Sequence, residues 1–239
     1  MSEYKNYYQA NSGLTFSEYL TKVFSTVAIG VGITAVISFV LSHFFMETLL
    51  EKFAGITTGV IFGAIILEFI VAIFFAARLN KMAKSTAWVC YILYSVLTGI
   101  SLSLVFYGYT DTSVTLCFGA TCLMFVTMAV IGHNTKTDLS KFSGLIMPAL
   151  IAIIVVSILN VILFKSDIVQ WIVNYVGVVV FLFLIAYDMQ KLRTLYDASF
   201  SDEEIGEKMM IYGAFQLYLD FINLLIRILE LFGKSKSND

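Results

Sequence analysis

Apolar positions in this chain neither alternate nor recur as a single stripe. They run on for about twenty residues at a time, which is the length of helix that crosses a bilayer core of about 30 Å. Seven such stretches fall near 22–45, 56–78, 86–107, 113–132, 144–165, 171–190 and 209–231. Between them lie short clusters of charge, glycine and turn formers: EKFAG at 51–55, LNKMAKS at 79–85, GYTDT at 108–112 and HNTKTDLSKFSG at 133–144. Continuous apolarity excludes a membrane β-barrel, whose strands alternate lipid-facing and lumen-facing residues. The pattern predicts an all-α polytopic membrane protein with seven transmembrane helices. A short N-terminal segment (1–21) precedes the transmembrane domain (22–233), and a short tail (234–239) follows it.

The last stretch departs from the rest. MMIYGAFQLYLDFINLLIRILELF carries Gln216, Asp220, Asn223, Arg227 and Glu230. Such a helix is too polar to face lipid all round. Either it lies at the centre of the bundle, shielded by the others, or it lies along the interface. Its length and largely apolar remainder favour the central place.

Composition agrees with lipid as the main solvent: 59% of the 239 residues are hydrophobic and only 13% are charged, about half the charged share of a soluble domain. The net charge of -2 gives no electrostatic case for a nucleic-acid partner. The N-terminal residues are polar and tyrosine-rich, and the first apolar run is too long for a cleavable leader, so no signal peptide is expected. A single proline, Pro148, predicts helices that run largely unbroken. Cys90, Cys117 and Cys122 have neither metal-site nor disulfide-framework spacing and read as buried, inert thiols. With the N-terminus in the cytoplasm, Lys and Arg outside the spans divide ten inside to four outside, as the positive-inside rule requires. The lysine-bearing C-terminal tail is the exception. A re-entrant last helix would return it to the cytoplasm.

An ionisable group at membrane depth is costly and asks for a reason. Glu68 lies ten residues before Arg78, about 15 Å along a helix axis. Asp188 lies close to the cytoplasmic end of the sixth span, and Asp220 about three turns into the seventh. The expected topology puts Arg78, Asp188 and Asp220 in the cytoplasmic half, with Glu68 near mid-membrane. Each has a plainer explanation: a snorkelling anchor for Arg78, a helix-end cap for Asp188, and packing hydrogen bonds for Asp220 and Glu68. The chain has no HExxH and no G-x-S-x-G, so an enzyme is not expected.

The stretches around these charges resemble the Bax inhibitor-1 family, the transmembrane Bax inhibitor motif proteins. LEFIVAIFFAARLNKM (67–82), VGVVVFLFLIAYDMQKL (176–192) and GAFQLYLDFINLLIRILELFG (213–233) carry the likeness, with TKTDLSKFSG (135–144) in support. The resemblance implies seven helices with the C-terminal one central, in a bacterial inner-membrane protein. It also implies a pH-dependent calcium leak with no bound cofactor, in which Asp188 and Asp220 sense protons and form a weak calcium site. Arg78 then latches one of them. Glu68, by its mid-membrane depth, is read separately as a pore or relay residue of the ion pathway. The partners expected are the lipid bilayer, calcium ions and protons, with no nucleic acid; protein partners are not indicated. A proton-coupled ion exchanger and a regulatory membrane scaffold without flux of its own are the alternatives.

Overall fold

The computed structural model describes residues 15–79, 81–198 and 203–236. Seven α-helices follow one another: α1 (Phe16–Val40), α2 (Met46–Arg78), α3 (Lys84–Gly108), α4 (Asp111–Asn134), α5 (Ser143–Leu159), α6 (Asp167–Ala198) and α7 (Glu203–Phe232). No strand occurs among the described residues; an isolated bridge pairs Tyr109 with Ser235. Six helical stretches are long and apolar enough to cross a membrane. The first of them, Phe16–Arg78, is 63 residues long, about 95 Å if it were straight and about three times a bilayer core.

That stretch is not straight. A π-helical turn, Leu41–Phe45, joins α1 to α2, and Phe53 leaves helical geometry at φ -137° and ψ 32°. The hydroxyl of Thr57 donates to the carbonyls of Phe53 (3.0 Å) and Leu49 (3.1 Å), satisfying acceptors beside the break. Both α1 and α2 pack against α3. EKFAG, expected to be a connecting segment, therefore lies within α2, and the turn is made by this irregular stretch rather than by a loop. The helices are also less continuous than a single proline suggested. A second π-helical turn, Asn160–Phe164, ends α5. Lys165 closes it in the left-handed region at φ 46°, while the Asn160 amide wraps Ser166, accepting from its N–H (3.0 Å) and donating to its carbonyl (3.2 Å). Pro148 sits inside α5 without ending it.

α1 begins six residues ahead of the expected span. Thr15 accepts from the N–H of Glu18, and the Glu18 carboxylate accepts from Thr15, closing a capping box. The expected N-terminal segment 1–21 otherwise lies largely outside the described residues.

Two compact units are present. One comprises the chain up to Gly108 with Leu192–Tyr218; the other comprises Tyr109–Lys191 with the chain from Leu219 onward. In the first, hydroxyls hold α1 to α3: Thr34 Oγ1 donates to the carbonyl of Ser95 (2.9 Å), and Ser38 Oγ to that of Gly99 (3.0 Å). Small polar side chains of this kind serve as interhelical contacts where water is absent. The start of α7 is tied to the α2–α3 connection by Lys208 Nζ, which donates to the carbonyl of Met82 (3.2 Å), and by the Lys84–Glu207 ion pair (3.2 Å). In the second unit, the residues after α7 pair with the α3–α4 connection. Thr110 N–H donates to the Lys234 carbonyl (3.0 Å), and Lys234 N–H to Ser113 Oγ (2.9 Å).

α7 is the most enclosed helix. Of its most apolar window 67% is buried, against 17–44% in the other five stretches. Ile211, Ala214, Leu217, Tyr218, Leu224 and Leu229 are wholly inaccessible. The opposite case is α2, where Ile56, Phe62, Ile66, Phe69 and Ile73 stand exposed as a lipid-facing surface requires.

Candidate functional site

Asp188 and Asp220 meet in the second unit. Asp188 sits on α6 ten residues before its end, among Ile185, Ala186, Met189 and Leu192, all buried; Asp220 sits on α7 between Leu217, Phe221 and Leu224, also buried. Apolar neighbours on both helices enclose the two carboxyls, which keep only 7% and 5% exposure. The two groups lie close enough to act on each other directly. Two carboxyls at that range do not both ionise cheaply. Asp220 Oδ2 is buried and accepts from no N–H or hydroxyl among the described residues. The cation that acts on both carboxyls is Lys191, one turn beyond Asp188.

Packing fixes where the pair lies. Phe118 and Phe125 of α4 meet Phe221 edge-on, with ring centres 5.6 and 5.5 Å apart. Gly132 of α4 lies directly against the Ala186 backbone. The α4–α5 connection clamps Gln190, which accepts from the N–H of Leu139 (2.8 Å) and donates to the Thr137 carbonyl (2.9 Å). Asp138 stabilises that connection by accepting from the N–H and hydroxyl of Ser140 (3.0 and 2.6 Å), contacts that hold its carboxyl below the ordinary range.

Glu68 and Arg78 belong to the first unit. Glu68 is half-buried, and its Oε1 accepts from Ser101 Oγ of α3. Tyr94 and Tyr218 lie near its charge, and Tyr218 shares a 2.7 Å hydrogen bond with Thr34. Thr98, against the same side chains, makes no hydrogen bond of normal geometry through its hydroxyl. The carboxylate thus caps a cluster of hydroxyls rather than pairing with a cation. Arg78 occupies the last turn of α2 and is exposed, with no side-chain ion pair among the described residues.

Two features escaped the sequence reading. One is Lys191, whose spacing of three from Asp188 places both on one helix face. The other is the set Gln170, Asn174, Arg227 and Glu230, where Arg227 Nη1 donates to Asn174 Oδ1 (2.8 Å) and lies 3.4 Å from Glu230 Oε2. The polar residues of the last span had been read for shielding alone, and Gln170 and Asn174 not at all. Their spacing of four, at the start of an apolar run, was the available signal.

The Asp188–Asp220 pair offers carboxyl oxygens, the donor type that a hard cation takes. Among the described residues no group of three or more acidic, histidine or cysteine side chains could hold a metal ion.

Comparison with known proteins gives relatives of nearly the same length. Inner membrane protein YbhL of Escherichia coli K12 is 35% identical over 229 residues, 95% of each chain. A protein of Borreliella burgdorferi is 34% identical over 223 residues, 93% of this chain and 94% of its own. A membrane protein of Streptococcus pyogenes serotype M1 is 31% identical over 235 residues, 98% of this chain and all of its own. The family model described as inhibitor of apoptosis-promoting Bax1 matches residues 16–237, nearly the whole membrane-spanning region, and this all-helical membrane protein belongs to that family.

Proposed function

We propose that this chain is a pH-sensitive calcium leak of a bacterial inner membrane, gated by protonation of Asp188 and Asp220. The observation that supports it is the pair of buried carboxyls acting on each other. Two carboxylates are too few for a tight calcium cage, and weak binding suits conduction, since an ion must also leave. YbhL is named as an inner membrane protein, which supports the same location here. Glu68, with its chain of hydroxyls, serves as a polar station in the first unit. Arg78, outside any ion pair among the described residues, is the candidate for a closing cation. Purified protein in liposomes should admit calcium faster than empty vesicles, and faster as pH falls. Equal rates with and without protein would remove the leak. Arg78→Ala should leave entry high at alkaline pH; a pH response like that of wild type would remove Arg78 from the gate.

We also propose seven crossings with the C-terminus outside the cytoplasm. α7 has 30 residues, about 45 Å of helix. Its start meets the connection where α3 begins, and its tail meets the connection where α3 ends. A helix with those two ends crosses as α3 does. A reporter fused after Asp239 should therefore be active only outside the cytoplasm; cytoplasmic activity would mean a re-entrant α7.

A further inference from the structure

Beyond Asp220, the polar residues of α7 continue along one face. Asn223, Arg227 and Glu230 follow it at three, seven and ten residues, close to whole turns of a helix. These three and Ile226 are half-buried, whereas Phe221, Ile222, Leu224, Leu225, Ile228 and Leu229 are buried. This stretch of α7 therefore keeps one partly accessible face, polar but for Ile226.

Arg227 is held there by a built setting within the second unit. Asn174, only 2% exposed, accepts from Arg227 Nη1 at 2.8 Å. Gln170 Nε2 donates to Glu230 Oε2 at 3.1 Å, fixing the carboxylate that lies 3.4 Å from the guanidinium. Gly177, one turn along α6 from Asn174, leaves the space the arginine stem fills: a Cβ there would sit 3.2 Å from Arg227 Cδ and Nε. The arginine is thus a fixed positive charge, about two turns from the carboxyl pair on the same helix face.

We propose that Arg227 is the charge barrier of the ion path and that Glu230 is the counter-charge that lowers it. The proposal rests on the calcium-leak reading. A cation moving along the polar face between Asp220 and the end of α7 passes the guanidinium. A divalent ion feels that charge twice as strongly as a monovalent one. Arg227 and Glu230 therefore set the calcium rate and the preference between calcium and sodium, in opposite directions.

The test is calcium and sodium entry into liposomes holding the full chain, with melting in detergent as the check on folding. Arg227→Gln, which can still donate to Asn174, should raise calcium entry about tenfold and sodium entry less. Arg227→Lys should stay near wild type. Glu230→Gln, which leaves the barrier unshielded, should slow calcium entry. A wild-type leak in which Arg227→Gln and Glu230→Gln shift calcium entry the same way, or leave the calcium-to-sodium ratio unchanged, would overturn the barrier while leaving the leak standing. No entry above empty vesicles in wild type or variants would remove the leak reading and the barrier with it. Should Arg227→Gln fail to fold, Glu230→Gln decides alone. Slower calcium entry with unchanged melting supports the barrier, and faster or unchanged entry refutes it.

Discussion

Asp220→Asn is expected to leave a calcium leak whose rate no longer follows pH. On the proposed reading the two buried carboxyls share a proton in wild type, and Lys191 acts on both. At higher pH the pair is ionised and attracts neighbouring cations. As pH falls it becomes neutral, and that attraction is lost. A charge-assisted hydrogen bond of this kind contributes about 1.5–3 kcal/mol, which converts to about ten- to a hundredfold in a two-state gate. Entry in wild type should therefore rise as pH falls. It should then flatten or drop, because calcium binds only ionised carboxylates. Asparagine at position 220 keeps the size and can donate to Asp188, but it removes the shared proton and one of the two charges. Asp188 is then a single carboxylate beside a lysine, and the coupled titration is gone. Asp188→Asn should act likewise, since the proton belongs to the pair rather than to either residue. The measurement is initial calcium entry into liposomes over a series of pH values, with equal amounts of folded protein. A variant that retains the full wild-type response would show that the pair is structural.

The carboxyl pair was legible in the sequence because lipid makes buried charge conspicuous: few residues other than Asp188 and Asp220 interrupt the last two apolar runs with an acid. Helix type and approximate number were legible for the same reason, since twenty apolar residues leave few alternatives. What the sequence did not show is how the first two spans are joined. Glu51 and Lys52 look like a loop, yet the backbone stays helical to either side of Phe53 and turns there without a turn residue. Local composition reports the solvent around a segment, whereas this bend is decided by how α1 and α2 both pack on α3. Nor did the sequence show that Lys191 acts on the pair, because whether a charge reaches a neighbouring helix depends on rotation and depth. The site set by Asn174 and Arg227 was hidden for a related reason. Its members are 53 residues apart, and uncharged amides attract no notice in an apolar run.

Gly132→Ala is expected to destabilise the protein, although alanine is the better helix former by about 1 kcal/mol. At Gly132, α4 crosses α6 so closely that a Cβ would meet the carbonyl oxygen of Ala186 and lie 2.7 Å from its Cα and 2.9 Å from its carbonyl carbon. These are backbone atoms of a helix, and no rotamer change can move them aside. Overpacking costs about 1–3 kcal/mol when side chains can shift; here whole helices must separate, so a net loss of about 3 kcal/mol is expected. Ala186 is two residues before Asp188, so widening the crossing also displaces the carboxyl from its partner. Any folded Gly132→Ala protein should therefore show a weakened pH response as well. Gly119, on the same helix, provides the control, because a Cβ there meets nothing within 4 Å. Gly119→Ala should be neutral or slightly stabilising. Thermal unfolding in detergent reads both variants. Pairing Gly132→Ala with Ala186→Gly separates backbone contact from side-chain contact: the clash is with backbone atoms that glycine also has, so the second change should restore nothing. A double variant as stable as wild type would mean that the two helices meet through the alanine methyl.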